Sequence, residues 1–130
     1  MEKKITAVLL KHFPGARAAW LFGSFGTKYE RRDSDVDIGL LLPERAGTDD
    51  VFSCRYALEE ILSRPVDLVD LRGTNTVFQF EVVRTGRPLF IADRTAADTY
   101  EMLVISFYQK LQQERAGILE AVKESGRVLQ

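Results

Sequence analysis

Cysteine is almost absent from this chain: among its 130 residues there is one, Cys54. No disulfide can form within the chain, so a reducing, cytoplasmic setting is expected. Cys54 falls in a predicted helix, where a small buried hydrophobe is the expected role rather than a nucleophile. Histidine is equally scarce. The one residue, His12, ends the first predicted helix and suits the negative end of its dipole. No apolar run reaches the length of a membrane span, and the short one in "MEKKITAVLLKHFPG" lacks a small-residue cleavage site. Charge of one sign is lacking too: the net charge is −1, which offers no basic field for direct nucleic-acid binding. The two common glycine-rich phosphate motifs, G-x-x-x-x-G-K-[ST] and G-x-G-x-x-G, are missing, as is any repeat.

What is present reads as an ordinary globular chain, 45% apolar and 28% charged, of a size for one domain spanning 1–130. Residues 2–13 set Ile5, Val8, Leu9 and Phe13 on one helical face, ended by Pro14-Gly15. "RAAWLF" (17–22) predicts a buried strand, followed by Gly23-Ser24 and a short helical turn to about Glu30. Further strands are predicted at 36–42, 66–71 and 88–92, with helices at 49–62 and 75–85. The 49–62 helix has Val51, Cys54, Leu58 and Leu62 on one face, and Gly86 is the expected C-cap of the 75–85 helix. From Thr95 to about Glu124, Tyr100, Leu103, Phe107, Leu111, Ile118 and Val122 recur at helical intervals. They predict a long amphipathic helix with that stripe toward the core and a possible break near Gly117. Strands interleaved with helices give an α/β or α+β class.

The stretch "GSFGTKYERRDSDVD" carries the chemistry. Side chains two apart on a strand share a face, so Asp35 and Asp37 aim together while Val36 and Ile38 face away. Two carboxylates about 4 Å apart repel by roughly 4 kcal/mol at an effective dielectric near 20. A hard divalent cation with oxygen ligands removes that cost. "VDLVDL" offers a further carboxylate, and because Asp67 and Asp70 have opposite parity only one of them can join. Asp33 shares the parity of Asp35 and Asp37 but is expected in the turn. Gly23-Ser24, after a strand and at the head of a helical turn, suits an anion: glycine lets backbone approach a phosphate and the Ser24 hydroxyl can donate.

Gly23-Ser24, ten residues, then Asp35-Val36-Asp37 has the form GS-x10-DxD. That spaced signature resembles the DNA polymerase beta-like nucleotidyltransferase superfamily. With "TGRPLF" after the third helix and no second substrate domain, the chain is similar to the minimal nucleotidyltransferase (MNT) group. The resemblance covers about 1–93 as a core, leaving 94–130 as a C-terminal helical segment, and "FGTKYERR" departs from the commoner intervening pattern. It implies a nucleotidyltransferase fold: a small mixed sheet of about four strands flanked by helices, with a long C-terminal helix.

The resemblance also implies Mg²⁺-dependent transfer from ATP at a site holding two ions. Asp35 and Asp37 would bridge both, and Asp67, the better match to the family's third carboxylate although Asp70 fits the same formula, would complete the ion at the acceptor hydroxyl. Gly23 and Ser24 would hold the β/γ phosphates, with Lys28 as added positive charge. MNT chains of this size resemble the antitoxins of HEPN/MNT toxin–antitoxin pairs. The implied function is transfer of AMP to a tyrosine of a HEPN ribonuclease toxin. Two alternatives stand beside it: modification of a small molecule, as in aminoglycoside nucleotidyltransferases, and a non-catalytic antitoxin that acts by binding. Val104 and Tyr108, four apart on the last helix, are read either as a partner-binding stripe or as the end of the core.

Overall fold

A computed structural model describes residues 1–25, 27–31 and 34–125. Its elements in chain order are α1 (Glu2–His12), β1 (Ala18–Phe22), β2 (Val36–Leu41), α2 (Thr48–Leu62) and β3 (Val66–Asp70). A single 3-10 turn at Leu71–Gly73 follows, then α3 (Thr76–Thr85), β4 (Arg87–Ile91) and α4 (Arg94–Ser125). The strands form one sheet in the order β3-β2-β1-β4. β1 runs antiparallel to both β2 and β4, while β2 and β3 are parallel, joined by the crossover through α2. The sheet is therefore mixed.

Alternation along the strands divides the core in two. Ala19, Leu21, Val36, Ile38 and Leu40 face α1 and α2, packing on Ile5, Leu9, Cys54 and Leu58. Ala18, Trp20 and Leu41 face the other way, onto Leu71, Val82 of α3 and Ala97, Tyr100 and Val104 of α4. Gly39 lies on that second face, where an added Cβ would stand 2.8 Å from Leu71 Cδ2, so the 3-10 turn settles directly on the strand. Cys54 is fully buried, and burial pushes its thiol up to about 11, which keeps it protonated and inert. His12 Nδ1 donates back to the Val8 carbonyl at 3.0 Å, satisfying the end of α1.

Three expectations need correction, while the Gly86 cap is as expected. The residues after Gly23 form no helix among those described; instead Thr27, Glu30 and Ser34 N–H groups close successive turns onto the Ser24, Thr27 and Arg31 carbonyls, respectively. Gly86 does cap α3, its N–H on the Val82 carbonyl at 2.7 Å, but its φ of −72° is not left-handed. Its lack of a side chain matters because a Cβ would collide with that carbonyl and reach within 3.3 Å of Trp20 Cβ. α4 is unbroken at Gly117. An exposed glycine weakens a helix by only about 1 kcal/mol, too little to interrupt one of this length.

The stripe on α4 is the last correction. Ala97, Tyr100 and Val104 face the core, with Tyr108 stacked on Phe80 of α3 at 3.8 Å. Val104 and Tyr108 thus complete the core and are not a partner stripe. Of the predicted core stripe, Tyr100 is buried, whereas Leu103, Phe107 and Ile118 are exposed. The position expected for Asp33 lies outside the described residues.

Candidate active site

Three segments meet at one end of the sheet. β1 runs into Gly23, β2 begins just after Asp35, and β3 begins at Val66 beside it. The parallel pairing sets Asp37 directly across from Asp67, with Phe22 of β1 across from Asp37 on the other side. Cross-strand partners are about 5 Å apart and point to one face, so Asp37 and Asp67 project together, toward the α3/α4 side. Asp35, two residues earlier, shares that direction.

Their proximity registers in the titration of Asp37. Its carboxyl is held above the ordinary value of 3.8, first by burial, then by the negative charges of Asp67 and Asp35. Asp37 is half-buried, while Asp35 and Asp67 are exposed. The three are close enough to feel one another without being drawn into a cage. Among the described residues no group of three His, Cys, Asp or Glu side chains is closed into metal-ligand geometry. Such an all-oxygen donor set suits Mg²⁺, which takes a few carboxylates and keeps the rest of its shell for water and phosphate oxygens. The donor set and the raised carboxyl therefore fit a hard divalent ion.

The register also separates Asp67 from Asp70, which parity alone left open. Asp70 pairs with Leu40 at the far end of β3. Its Oδ2 accepts from the Ala46 N–H at 3.2 Å and its Oδ1 from the Arg72 N–H at 3.3 Å. Asp70 thus fastens the β2–α2 connection to the 3-10 turn and stands apart from the other carboxylates.

Gly23 has a φ of +75°, the left-handed region that favours glycine. A Cβ there would collide with Asp37 Oδ2 and stand 3.3 Å from its Cγ. The glycine is therefore needed twice over, for the turn and for room beside the carboxylate. Ser24 is half-buried, its hydroxyl makes no hydrogen bond to a described residue, and its carbonyl accepts from Thr27 N–H at 3.0 Å and Thr27 Oγ1 at 2.6 Å. With no helix among the described residues behind it, the turn offers an anion local N–H groups rather than a helix dipole. Lys28 is exposed, its ammonium 5.2 Å from the centroid of the Tyr29 ring.

Two arginines that no motif pointed to hold this turn. Arg64, just before β3, pairs with Glu30 at 2.7 Å and lies over the Phe25 ring at 5.3 Å. Arg87 of β4 pairs with Glu2 at 2.7 Å and donates to the Phe25 carbonyl at 3.4 Å. The only sequence signal was the place of Arg64 three residues before Asp67.

Residues 3–95 match the family profile described as polymerase beta, nucleotidyltransferase. The protein adenylyltransferase MntA of Shewanella oneidensis is 33% identical over 121 residues, covering 93% of this chain and 86% of that protein. A crystal structure of a toxin–antitoxin with AMP-PNP contains a chain that is 33% identical, with a TM-score of 0.81 over 94% of this chain and 98% of that one. A complex of tri-AMPylated Shewanella oneidensis HEPN toxin with MNT antitoxin gives 32% identity and a TM-score of 0.76 over 94% and 95%.

Proposed function

The chain belongs to the polymerase beta nucleotidyltransferase family, and from that premise we propose that it moves AMP from ATP to a tyrosine hydroxyl of a HEPN-type ribonuclease toxin, acting as that toxin's antitoxin. The observation that carries the reading is the pairing of Asp37 with Asp67 across β2 and β3, with Asp35 on the same side. The similarity to MntA and to complexes of a HEPN toxin with an MNT antitoxin supports the acceptor class. The exposed Ile118 and Leu119 near the end of α4 leave apolar surface that a protein acceptor can cover.

In this reading Asp35, Asp37 and Asp67 would hold the two Mg²⁺ ions, with Asp67 on the acceptor side. When bound, the ions neutralise the triphosphate and lower the pKa of the attacking hydroxyl. Asp67, exposed at the rim, takes the proton that the tyrosine gives up. The tyrosine oxygen then forms a bond to the α-phosphorus while the bond from that phosphorus to the bridging oxygen breaks, and pyrophosphate leaves. Ser24, whose hydroxyl makes no hydrogen bond to a described residue, and the Gly23 backbone hold the β and γ phosphates. Lys28 adds positive charge at the outer side of the turn. The reaction belongs in the cytoplasm, where ATP and the RNA targets of such a toxin are found; no helix among the described residues is long and apolar enough to cross a membrane.

The test is incubation of the chain with α-labelled ATP, Mg²⁺ and the purified HEPN-type protein encoded beside it. Label on a tyrosine of that protein is the expected result. Label on an aminoglycoside instead, or a tight complex that gains no label, would overturn it in favour of a small-molecule transferase or a binding-only antitoxin.

A further inference from the structure

Arg64 joins the two halves of the site. α2 ends on Ser63 in the left-handed conformation, with φ 53° and ψ 38°, and the chain reverses straight into Arg64-Pro65. The Pro65 carbonyl accepts from Val36 N–H at 2.9 Å, between Asp35 and Asp37, and β3 then carries Asp67. From this pinned segment the guanidinium reaches a turn 34 residues earlier, pairing with Glu30 at 2.7 Å and covering the Phe25 ring. Both charged side chains are mostly shielded, at 21% and 29% exposure, so water screens the pair less than it screens a surface one. Phe25 directly follows Ser24, and its carbonyl is held from the opposite side by Arg87. Among the described residues, the turn between β1 and Glu30 has no helix of its own to stiffen it.

We infer that Arg64 is a positioning residue: by gripping Phe25 and Glu30 it fixes the Gly23-Ser24 turn at the distance from the carboxylates that a bound triphosphate requires. This rests on the nucleotide site proposed above. Arg64 acts through the turn and not on the phosphates, because its guanidinium is already occupied by an anion and a ring. Without it, the described ties of this turn are its continuity with β1, the packing of Phe25 on the core and the hydrogen bond from Arg87. Ordering the turn then has to be done by the nucleotide, and affinity falls.

The experiment measures AMP-PNP binding with Mg²⁺ by calorimetry for the full chain and for Arg64→Ala, Arg64→Lys and Glu30→Gln, alongside melting curves. Arg64→Ala is expected to weaken binding roughly tenfold, Arg64→Lys to weaken it less, and Glu30→Gln to weaken it in the same direction. The rate of transfer at saturating ATP stays within about twofold, since the reacting atoms are untouched. Unchanged affinity in a folded Arg64→Ala overturns the inference. So does tighter binding by Glu30→Gln, which would mean that a released Arg64 contacts the phosphates itself. A fall in the saturated rate with affinity intact would make it catalytic instead. Failure of the unaltered chain to bind AMP-PNP is a separate result, and it removes the nucleotide site on which the inference stands.

Discussion

There is no room for a side chain between Gly23 and Asp37. The turn that ends β1 brings Gly23 against the carboxylate of its neighbour strand, so that a Cβ would overlap Asp37 Oδ2. The proposed phosphate cradle and the proposed metal ligand are therefore close neighbours, and anything added at Gly23 must displace the carboxylate.

Gly23→Ala should accordingly fail in two ways. The positive φ of 75° strains any other residue, and the methyl group pushes the Asp37 carboxylate aside. A loss of about 1–3 kcal/mol in stability is expected, read from denaturant melts. Transfer should fall at least tenfold in protein that remains folded.

Asp37→Asn should abolish transfer while leaving the metal-free fold as stable or more so. Because the Asp37 carboxyl is raised above 3.8 in the folded chain by burial, Asp67 and Asp35, the folded state binds its proton more tightly than the unfolded one. Its favourable contribution is complete below the ordinary carboxylate value and is lost as pH rises through the raised one. Metal-free melting temperature should thus decline over that window in the unaltered chain, with a shallower decline in Asp37→Asn. Added Mg²⁺ should restore stability at neutral pH only where the carboxylate is present.

Asp67 and Asp70 should part company on substitution. Asp67→Asn alters an exposed side chain, so melting is expected to hold steady while transfer collapses. Asp70→Ala removes the acceptor for Ala46 and Arg72 N–H groups, and about 1–2 kcal/mol of stability should go with it. Its transfer rate should survive. The reverse pattern would move the third carboxylate to Asp70.

On α4, Val104→Ala should cost about 1–2 kcal/mol because that side chain is 3% exposed in the core. Ile118→Ala, at 64% exposure, should stay within about 0.5 kcal/mol. Equal losses would mean that the helix packs on its other stripe.

Much of this fold could be read from local pattern. The helices 49–62 and 75–85 and the strand around "VDIGLLL" announce themselves through periodicity and their Pro and Gly boundaries, and all lie within a residue or two of the observed elements. The convergence of Asp35 with Asp37 is likewise local, a consequence of strand geometry. What could not be read is what depends on register or packing between distant segments. Parity says that Asp67 and Asp70 face oppositely, but only the pairing of Asp37 with Asp67 says which one faces the site. α4 has apolar residues around so much of its surface that intervals of three and four fit Leu103-Phe107 as well as Val104-Tyr108, and the choice falls to α3. Arg64 was invisible because its partners, Phe25 and Glu30, lie in a turn that no periodicity governs.

The most direct test of the whole account is a crystal of the chain soaked with Mn²⁺ and AMP-PNP, read by anomalous scattering. Manganese density within about 2–2.5 Å of carboxylate oxygens of Asp35, Asp37 and Asp67, with the triphosphate lying against Gly23 and Ser24, is the predicted result. Manganese bound elsewhere, or a nucleotide seated away from that turn, would contradict it.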